Sequence, residues 1–272
     1  MRRSDSFADV ISGDARWCVI EGDCLDVLPE LGCVGRLITD GPYGIGSYSQ
    51  TDDDGPYVEA LRLMQGCATR AFFGYAETLI DWILRLHWGA PDEWVTWYPS
   101  NAEAKAGARS TQVLPRLAEH VAIYGATPGV RDVRRERSAG GARLSRSVGA
   151  ATKRWTPDKP LREDAQAGDV WTDASPGIAF NAPDRLHPNE KPVSLMAKLV
   201  RLTSVVDDII LDPFAGSGST GVAALRNGRR AILVEKDPEH AAVARERMEA
   251  EGSGSTLAAS RAGQGALFGA PK

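Results

Sequence analysis

Glycines at a fixed spacing after an apolar segment are the clearest chemical feature of this sequence. In "DPFAGSGSTG", Gly216, Gly218 and Gly221 fit the pattern G-x-G-x-x-G between a predicted strand and a predicted helix. Glu235 follows roughly 20 residues later, where a carboxylate can accept hydrogen bonds from the two hydroxyls of a ribose. Backbone amides at the helix start can approach the same ligand. The pattern predicts a site for a nucleoside-bearing ligand; the alternative is a tight glycine turn beside a surface glutamate.

A second polar segment ends a buried strand near the beginning of the chain. "LITDGPYGIG" runs from apolar residues into Asp40, Gly41, Pro42 and Tyr43, which can continue neither a strand nor a helix. Glycine and proline mark turns, aspartate tolerates turn geometry, and a tyrosine can fill the core. Taken alone, the segment leaves a simple turn and a functional site equally open.

The elements that must position these residues alternate between strand and helix. Strands are predicted at residues 17–23, 35–40, 70–75, 93–99 and 119–125. Helices are predicted between the first two strands, stopping at Gly32, and at residues 57–65 and 76–87. This order is typical of an α/β protein with a largely parallel sheet.

Regular patterning returns in the last third of the chain. "KPVSLMAKLVRLTSVV" has the period of a core-facing helix, with Leu195, Leu199, Leu202 and Val206 on one face. The glycine pattern then lies in a strand-turn-helix unit, a further strand ends on Glu235, and the last helix runs to about residue 251. Residues 252–272 predict a flexible tail because they are rich in glycine and serine.

Between these two ordered parts, the periodicity fades into a loop-rich insert with a concentration of positive charge. Its basic residues are Arg131, Arg134, Arg135, Arg137, Arg143, Arg146, Lys153 and Arg154, against the acidic Asp132 and Glu136. Such a run can bind the phosphates of a nucleic acid although the whole chain carries a net charge of -4. The alternative is a solvated, disordered loop.

Composition places the chain among soluble globular proteins, with 43% hydrophobic and 25% charged residues. The first residues, "MRRSDSFADV", lack the apolar core of a signal peptide, so we expect a cytoplasmic protein that does not enter a membrane. The four cysteines form no Cys-x-x-Cys pair, which argues against a zinc site and against a disulfide framework.

Three motifs resemble those of DNA amino-methyltransferases. Asp212-Pro213-Phe214-Ala215 separate the strand from the glycines, unlike the dinucleotide fingerprint, and "DPFAGSGST" resembles the S-adenosylmethionine-binding motif of that family. "TDGPYG" resembles its Asp-Pro-Pro-Tyr catalytic motif, and "HPNEKP", at 187–192, its His-Pro-x-x-Lys-Pro segment. The order of the motifs identifies the chain as a member of the β group of adenine-N6 and cytosine-N4 methyltransferases. For "HPNEKP" alone, a proline-bounded helix entry is the alternative.

The resemblance implies a permuted, Rossmann-like methyltransferase fold: a seven-stranded, mostly parallel sheet with helices on both faces and a small insert. Residues 1–125 would be the catalytic half, 126–183 the target-recognition insert, 184–251 the cofactor-binding half and 252–272 the tail. If the strands that end at Asp40 and Asp212 are neighbours, their loops flank the crevice where ligands bind in such sheets.

The resemblance also implies roles for individual residues. The catalytic residues would be Asp40, Gly41, Pro42 and Tyr43. The cofactor-binding residues would be Asp23, Asp40, Lys191, Asp212, Pro213, Phe214, Ala215, Gly216, Ser217, Gly218, Ser219, Thr220, Glu235 and Lys236. Asp23 would lie near the cofactor adenine, or else cap a helix. Lys191 would wall the pocket, and the segment 47–55 would be a lid over the base or a solvated loop.

The chemistry of that family explains these residue types. An exocyclic amine is a poor nucleophile, and hydrogen bonds from both of its hydrogens to Asp40 and a backbone carbonyl would make its nitrogen more tetrahedral. Tyr43 would stack on a base flipped out of the duplex, and Pro42 would keep the turn rigid. The family usually has proline where this chain has Gly41, so we expect activity with a less preorganised site.

The leading hypothesis is therefore a methyltransferase that acts on adenine in double-stranded DNA, since aspartate rather than serine at position 40 favours adenine. Cytosine-N4 is the near alternative. A nucleotide-binding oxidoreductase and a catalytically silent DNA-binding relative are hypotheses of other classes. The resemblance also suggests a homodimer.

Overall fold

A computed structural model describes residues 6–44, 53–99, 118–125, 127–128, 169–171, 190–255 and 257. The strands are β1 (Trp17–Glu21), β2 (Arg36–Thr39), β3 (Thr69–Gly74), β4 (Glu93–Trp97), β5 (Glu119–Gly125), β6 (Val170–Trp171), β7 (Ile209–Asp212) and β8 (Arg230–Glu235). The helices are α1 (Phe7–Ser12), α2 (Cys24–Leu31), α3 (Gly55–Leu63), α4 (Ala76–Arg85), α5 (Val193–Thr203), α6 (Ser219–Arg226) and α7 (Pro238–Gly252). Every strand predicted from the sequence is present, with ends within two residues of the prediction.

The strands form one sheet in the order β1-β8-β7-β2-β3-β5-β4-β6. The first five are parallel to one another, and β5 is antiparallel to both of its neighbours. The predicted count of seven is wrong by one within the described residues, because the two-residue β6 pairs with Thr96 and Trp97. A strand that short has too few residues to show a period of two.

The two motif-bearing strands are neighbours in the sheet, as a shared ligand-binding edge requires. In β2 and β7, Leu37 lies opposite Leu211 in a parallel ladder, and β8 pairs with the other side of β7. Parallel strands end at the same edge of a sheet, so Asp40, Asp212 and Glu235 come to one edge although up to 195 residues separate them in sequence. We call this the carboxyl edge of the sheet.

Helices cover both faces of the sheet, as predicted. Successive residues of β3 alternate between two cores: Phe73 packs with residues of α5, α6 and α7, whereas Phe72 packs with residues of α1, α2, α3 and α4. The two layers hold the strands from either side, which fixes the positions of the loops at the carboxyl edge.

Some boundaries differ from the sequence-based expectation. Helix α5 ends at Thr203, and Val206, predicted on its buried face, lies outside the helix and is 63% exposed. Helix α1 was not predicted; Ser6 caps it and only Val10 among its residues is buried. In the described part of the chain, no helix combines the length and apolarity needed to span a membrane.

Candidate active site

The glycine turn connects β7 to α6 by a tight path that only small residues allow. Gly216 and Gly218 have φ angles of 50° and 82°, which side chains rarely tolerate. A Cβ atom at Gly221 would lie 2.6 Å from Leu233 Cδ1 in the neighbouring strand. The third glycine therefore lets α6 pack closely on the sheet, and the turn holds its shape at the carboxyl edge.

Glu235 is tied to this turn by hydrogen bonds. Its Oε2 accepts a hydrogen bond from the Gly216 amide at 2.7 Å, and its Oε1 accepts one from the Asp237 amide at 2.9 Å. Both oxygens keep a further lone pair, and the residue is partly exposed at the end of β8. The structure thus brings together the glycines and the carboxylate that the sequence pattern paired.

Asp212 supports the turn from beneath. It is 2% exposed, and it accepts hydrogen bonds from the Phe214 amide at 3.1 Å and from the Thr220 hydroxyl at 2.6 Å. Burial raises the pKa of Asp212 to about 7, although both hydrogen bonds act in the opposite direction. Of the predicted cofactor residues in this turn, Phe214 and Gly216 are partly exposed, and the others are buried and shape the turn.

The helix α7 and the segment before α5 also hold the turn. Arg247 donates hydrogen bonds to the Ser217 carbonyl and to the hydroxyls of Ser217 and Ser219, each at 3.2 Å. It also pairs with Glu190 at 2.7 Å, and the two side chains are only 14% and 7% exposed. Glu190, from the "HPNEKP" motif, is therefore joined to the glycine turn.

At the end of β2, Asp40 lies in a polar cluster with three other side chains. Its Oδ1 accepts a hydrogen bond from the Tyr43 hydroxyl at 2.6 Å, and its Oδ2 pairs with Lys191 Nζ at 2.7 Å. Glu119 Oε2 accepts from the same hydroxyl at 2.8 Å and pairs with the same ammonium at 2.9 Å. We call Asp40, Tyr43, Glu119 and Lys191 the Asp40 cluster.

Burial and charge act against each other in the Asp40 cluster. Burial raises the pKa of Asp40, the Lys191 ammonium opposes that rise, and the Glu119 charge adds to it. Burial alone would lower the pKa of Lys191, but Asp40 and Glu119 hold it above its ordinary value. The pKa of Tyr43 is raised, mainly by burial, so its hydroxyl stays protonated and acts as a hydrogen-bond donor.

The position of Lys191 differs in emphasis from the sequence-based expectation. The motif suggested a wall of the cofactor pocket, whereas the ammonium pairs with Asp40 and faces the rings of Tyr43, Phe73 and Trp97 at 5.3 to 5.7 Å. Sequence reasoning missed Glu119 altogether. The one available signal was an acidic residue at the start of an otherwise apolar strand.

The packing around position 41 explains why a glycine stands there, which the sequence context does not reveal. A Cβ atom at this position would lie 2.2 Å from Cδ2 of Tyr57, whose side chain is fully buried. The Tyr57 hydroxyl donates a hydrogen bond to the Thr39 carbonyl at 3.1 Å, and its ring packs edge-on against Phe214 and Trp82. A side chain at position 41 would therefore collide with the buried ring of Tyr57, and the expectation of a less preorganised site stays a prediction.

Asp23 and Lys236 form a pair at the end of β1. Asp23 caps α2 by accepting a hydrogen bond from the Leu25 amide at 3.0 Å, so the helix-cap alternative holds in the structure. Lys236 Nζ lies 2.8 Å from the other carboxylate oxygen, and this pairing, with the capping bond, lowers the pKa of Asp23. A role of either residue in binding a cofactor stays a prediction.

Several predicted residues lie outside the described part of the chain. These are the eight basic residues from Arg131 to Arg154, residues 187–189 of "HPNEKP", and residues 47–52 of the suggested lid. The lid's last residues are described: Asp54 precedes α3 and accepts hydrogen bonds from Trp82 Nε1 at 2.6 Å and from Arg85 at 2.7 Å.

Comparisons with known proteins point to one family. Residues 129–246, somewhat less than half of the chain, match the family model N6_N4_Mtase, described as DNA methylase. The type II methyltransferase M2.DpnII of Streptococcus pneumoniae is 40% identical over 93 residues, which is 34% of each chain. M2.MboI of Moraxella bovis is 36% identical over 81 residues, 30% of this chain and 29% of that protein. The alignments thus span about a third of these curated relatives.

Solved structures extend the likeness to most of the chain. The M1.HpyAVI–SAM complex is 17% identical with a TM-score of 0.53, over 85% of this chain and 99% of that chain. TTHA0409 of Thermus thermophilus, complexed with S-adenosyl-L-methionine, is 21% identical with a TM-score of 0.53, over 93% and 99%. PvuII DNA methyltransferase, cytosine-N4-specific, is 13% identical with a TM-score of 0.58, over 85% and 86%. At these identities, the likeness shows that the fold is shared.

Proposed function

We propose that this chain, which belongs to the N6/N4 DNA methylase family, transfers a methyl group from S-adenosylmethionine to the N6 amine of adenine in double-stranded DNA. The observation that carries the proposal is the arrangement of the carboxyl edge. Asp40 follows β2, the glycine turn follows the adjacent β7, and Glu235 ends the next strand, β8. The group that we propose to bind the base and the turn that we propose to bind the nucleoside therefore lie at the edge where such sheets bind ligands.

The residues at this edge fit S-adenosylmethionine. Glu235 is partly exposed, fixed by two backbone amides, and suited to accept hydrogen bonds from ribose hydroxyls. The positive φ angles of Gly216 and Gly218 keep side chains out of the turn, and Phe214 presents an aromatic surface beside it. The carboxylates at this edge also suit a ligand with a positive charge. When bound, the cofactor supplies an electrophilic methyl group on a sulfonium.

On the other side of the crevice, the chain's own groups would hold the base. Asp40 accepts a hydrogen bond from the target amine, and the Gly41 carbonyl accepts a second, which draws the nitrogen toward a tetrahedral geometry. The Tyr43 ring packs against the flipped base. Holding the amine and the methyl group in the reactive geometry supplies much of the rate, because the loss of orientational freedom is then met on binding and not in the chemical step.

Aspartate at position 40 favours adenine as the target, with cytosine-N4 as the second candidate. The substrate would be double-stranded DNA, held through the basic residues Arg131 to Arg154 by contacts to phosphates. We include a homodimer in this proposal on the strength of the family resemblance.

The test incubates the purified protein with S-adenosylmethionine labelled in its methyl group and with unmethylated duplex DNA. Digestion to nucleosides then identifies the product. We expect label in N6-methyldeoxyadenosine and none with Asp40→Ala. Label in N4-methyldeoxycytidine would move the proposal to its alternative. Cofactor binding without transfer to DNA would indicate a silent relative, and Asp40→Ala with normal transfer would refute the assigned site.

A further inference from the structure

The hydrogen bonds of the Asp40 cluster cannot all form at once. The Tyr43 hydroxyl has one hydrogen, yet two carboxylate oxygens lie within bonding distance, Asp40 Oδ1 at 2.6 Å and Glu119 Oε2 at 2.8 Å. Lys191 has three hydrogens, and it contacts Asp40, Glu119 and the Tyr43 oxygen at 2.7, 2.9 and 3.3 Å. The hydroxyl can therefore donate its hydrogen to only one of the two carboxylates at a time.

That choice changes how well Asp40 can serve the proposed reaction. When Tyr43 donates to Asp40 and Lys191 holds the other oxygen, each carboxylate oxygen already accepts one bond and keeps one lone pair. When Tyr43 donates to Glu119, both lone pairs of Asp40 Oδ1 are available to an amine. A buried hydroxyl that loses its hydrogen-bond partner without replacement destabilises the site, and Glu119 supplies the replacement.

We infer that Glu119 is a positioning residue for the methyl transfer. It accepts the hydrogen bond of the Tyr43 hydroxyl and pairs with Lys191, so that Asp40 can hold the target amine. The inference rests on the proposed function, and it assigns to that site a residue that is joined to Asp40 through Tyr43 and Lys191. Glu119 comes from β5, the antiparallel strand, so the antiparallel part of the sheet contributes to a site built on the parallel strands.

The charge of Glu119 has a second effect, which can be measured. The charged or titratable groups that act on Asp40 or respond to it are Lys191, Glu119, Tyr43, Tyr57 and Asp212. Of these, Glu119 raises the pKa of Asp40 and Lys191 lowers it. Without the Glu119 charge, Lys191 would pair with Asp40 alone, and Asp40 would ionise at a lower pH.

Glu119→Gln tests this role, because glutamine keeps the size of the side chain and removes its charge. We expect kcat on the pH plateau to fall roughly tenfold to a hundredfold, the scale of one charge-assisted hydrogen bond. The KM for the cofactor should change little. The acidic limb of the pH–rate profile should move to lower pH, since ionised Asp40 is the acceptor and its pKa falls. A residue with only a structural role would leave that limb in place.

Glu93→Gln is the matched control, because Glu93 lies exposed on the adjacent strand β4. It should keep the wild-type kcat and pH limb, and thermal melting of both variants checks that the fold is retained. A Glu119→Gln variant with wild-type kcat and an unchanged limb would overturn the inference.

A titration of Asp40 by carbon-13 NMR, assigned with Asp40→Asn, separates this inference from the proposed function. A wild-type protein that methylates no DNA contradicts the proposed function. An Asp40 pKa that is equal in wild type and Glu119→Gln contradicts the role of Glu119, whether or not DNA is methylated.

Discussion

A methyl group added at Gly41 is expected to displace the turn that carries Asp40, because it would collide with Tyr57. In Gly41→Ala, the new Cβ would lie 2.2 Å from Cδ2, 2.5 Å from Cε2 and 2.7 Å from Cγ of Tyr57. Carbon atoms in contact are normally about 3.5 Å apart, so the two groups must separate by about 1.3 Å. Tyr57 cannot retreat easily, because it is fully buried between Trp82 and Phe214.

The displacement therefore falls largely on the turn that carries Asp40. Overpacking of this kind costs about 1–3 kcal/mol of folding free energy. A shift of about 1 Å at a reacting group can lower a rate by about a hundredfold. We expect both effects in Gly41→Ala, and larger ones in Gly41→Pro, which restores the residue usual in the family but adds a whole ring.

Urea unfolding and steady-state methylation measure the two effects. Gly89→Ala is the matched control, because a Cβ at Gly89 meets no atom within 4 Å. Tyr57→Leu should make room, so in the double variant with Gly41→Ala the loss of stability should be smaller than the sum of the single losses, by about 1 kcal/mol. A Gly41→Ala protein with wild-type stability and rate would show that the contact with Tyr57 does not constrain position 41.

Three other residues with buried or tied side chains give further predictions. The pKa of Asp212 is raised from 3.8 to about 7, so its favourable contribution to folding stability is present below about pH 4 and is lost as the pH rises through 7. Relative to wild type, Asp212→Asn should therefore gain up to ~4 kcal/mol in free energy of unfolding between pH 4 and pH 8. An equal difference between the two proteins at both pH values would contradict this. Arg247→Met removes the ion-pair partner of the buried Glu190, which should lower the free energy of unfolding in urea by about 3 kcal/mol. A loss within about 0.5 kcal/mol, the usual scale for surface substitutions, would show that the ion pair is dispensable. Glu235→Gln should raise the calorimetric Kd for S-adenosylmethionine about tenfold, the loss expected for a charge-assisted hydrogen bond, and an unchanged Kd would remove Glu235 from the cofactor site.

Local patterns in the sequence were sufficient for much of the fold and for part of the site. The glycine turn was predictable because its residues lie within ten positions and obey a steric rule, and Glu235 because the strand-turn-helix-strand unit has a nearly fixed length. The adjacency of β2 and β7 could be given only as a condition, because no local pattern determines which strands pair.

The contacts that sequence reasoning missed join residues that are far apart in the chain. Glu119 lies 76 positions from Tyr43, and Lys191 lies 148 positions from it, so no local period could bring them together. Tyr57 was interpreted as a helical residue, and only its packing explains why position 41 is glycine. Val206 fitted the helical period but follows the end of α5 at Thr203, because periodicity does not mark where a helix stops.

In the proposed reaction, Asp40 holds the amine that receives the methyl group. The single-turnover rate of methylation, at saturating S-adenosylmethionine and DNA, tests it directly in Asp40→Asn, which keeps the size of the side chain and removes its charge. We predict a fall of at least about a hundredfold relative to wild type, with the melting temperature preserved. An Asp40→Asn protein that methylates adenine at the wild-type single-turnover rate would contradict the account.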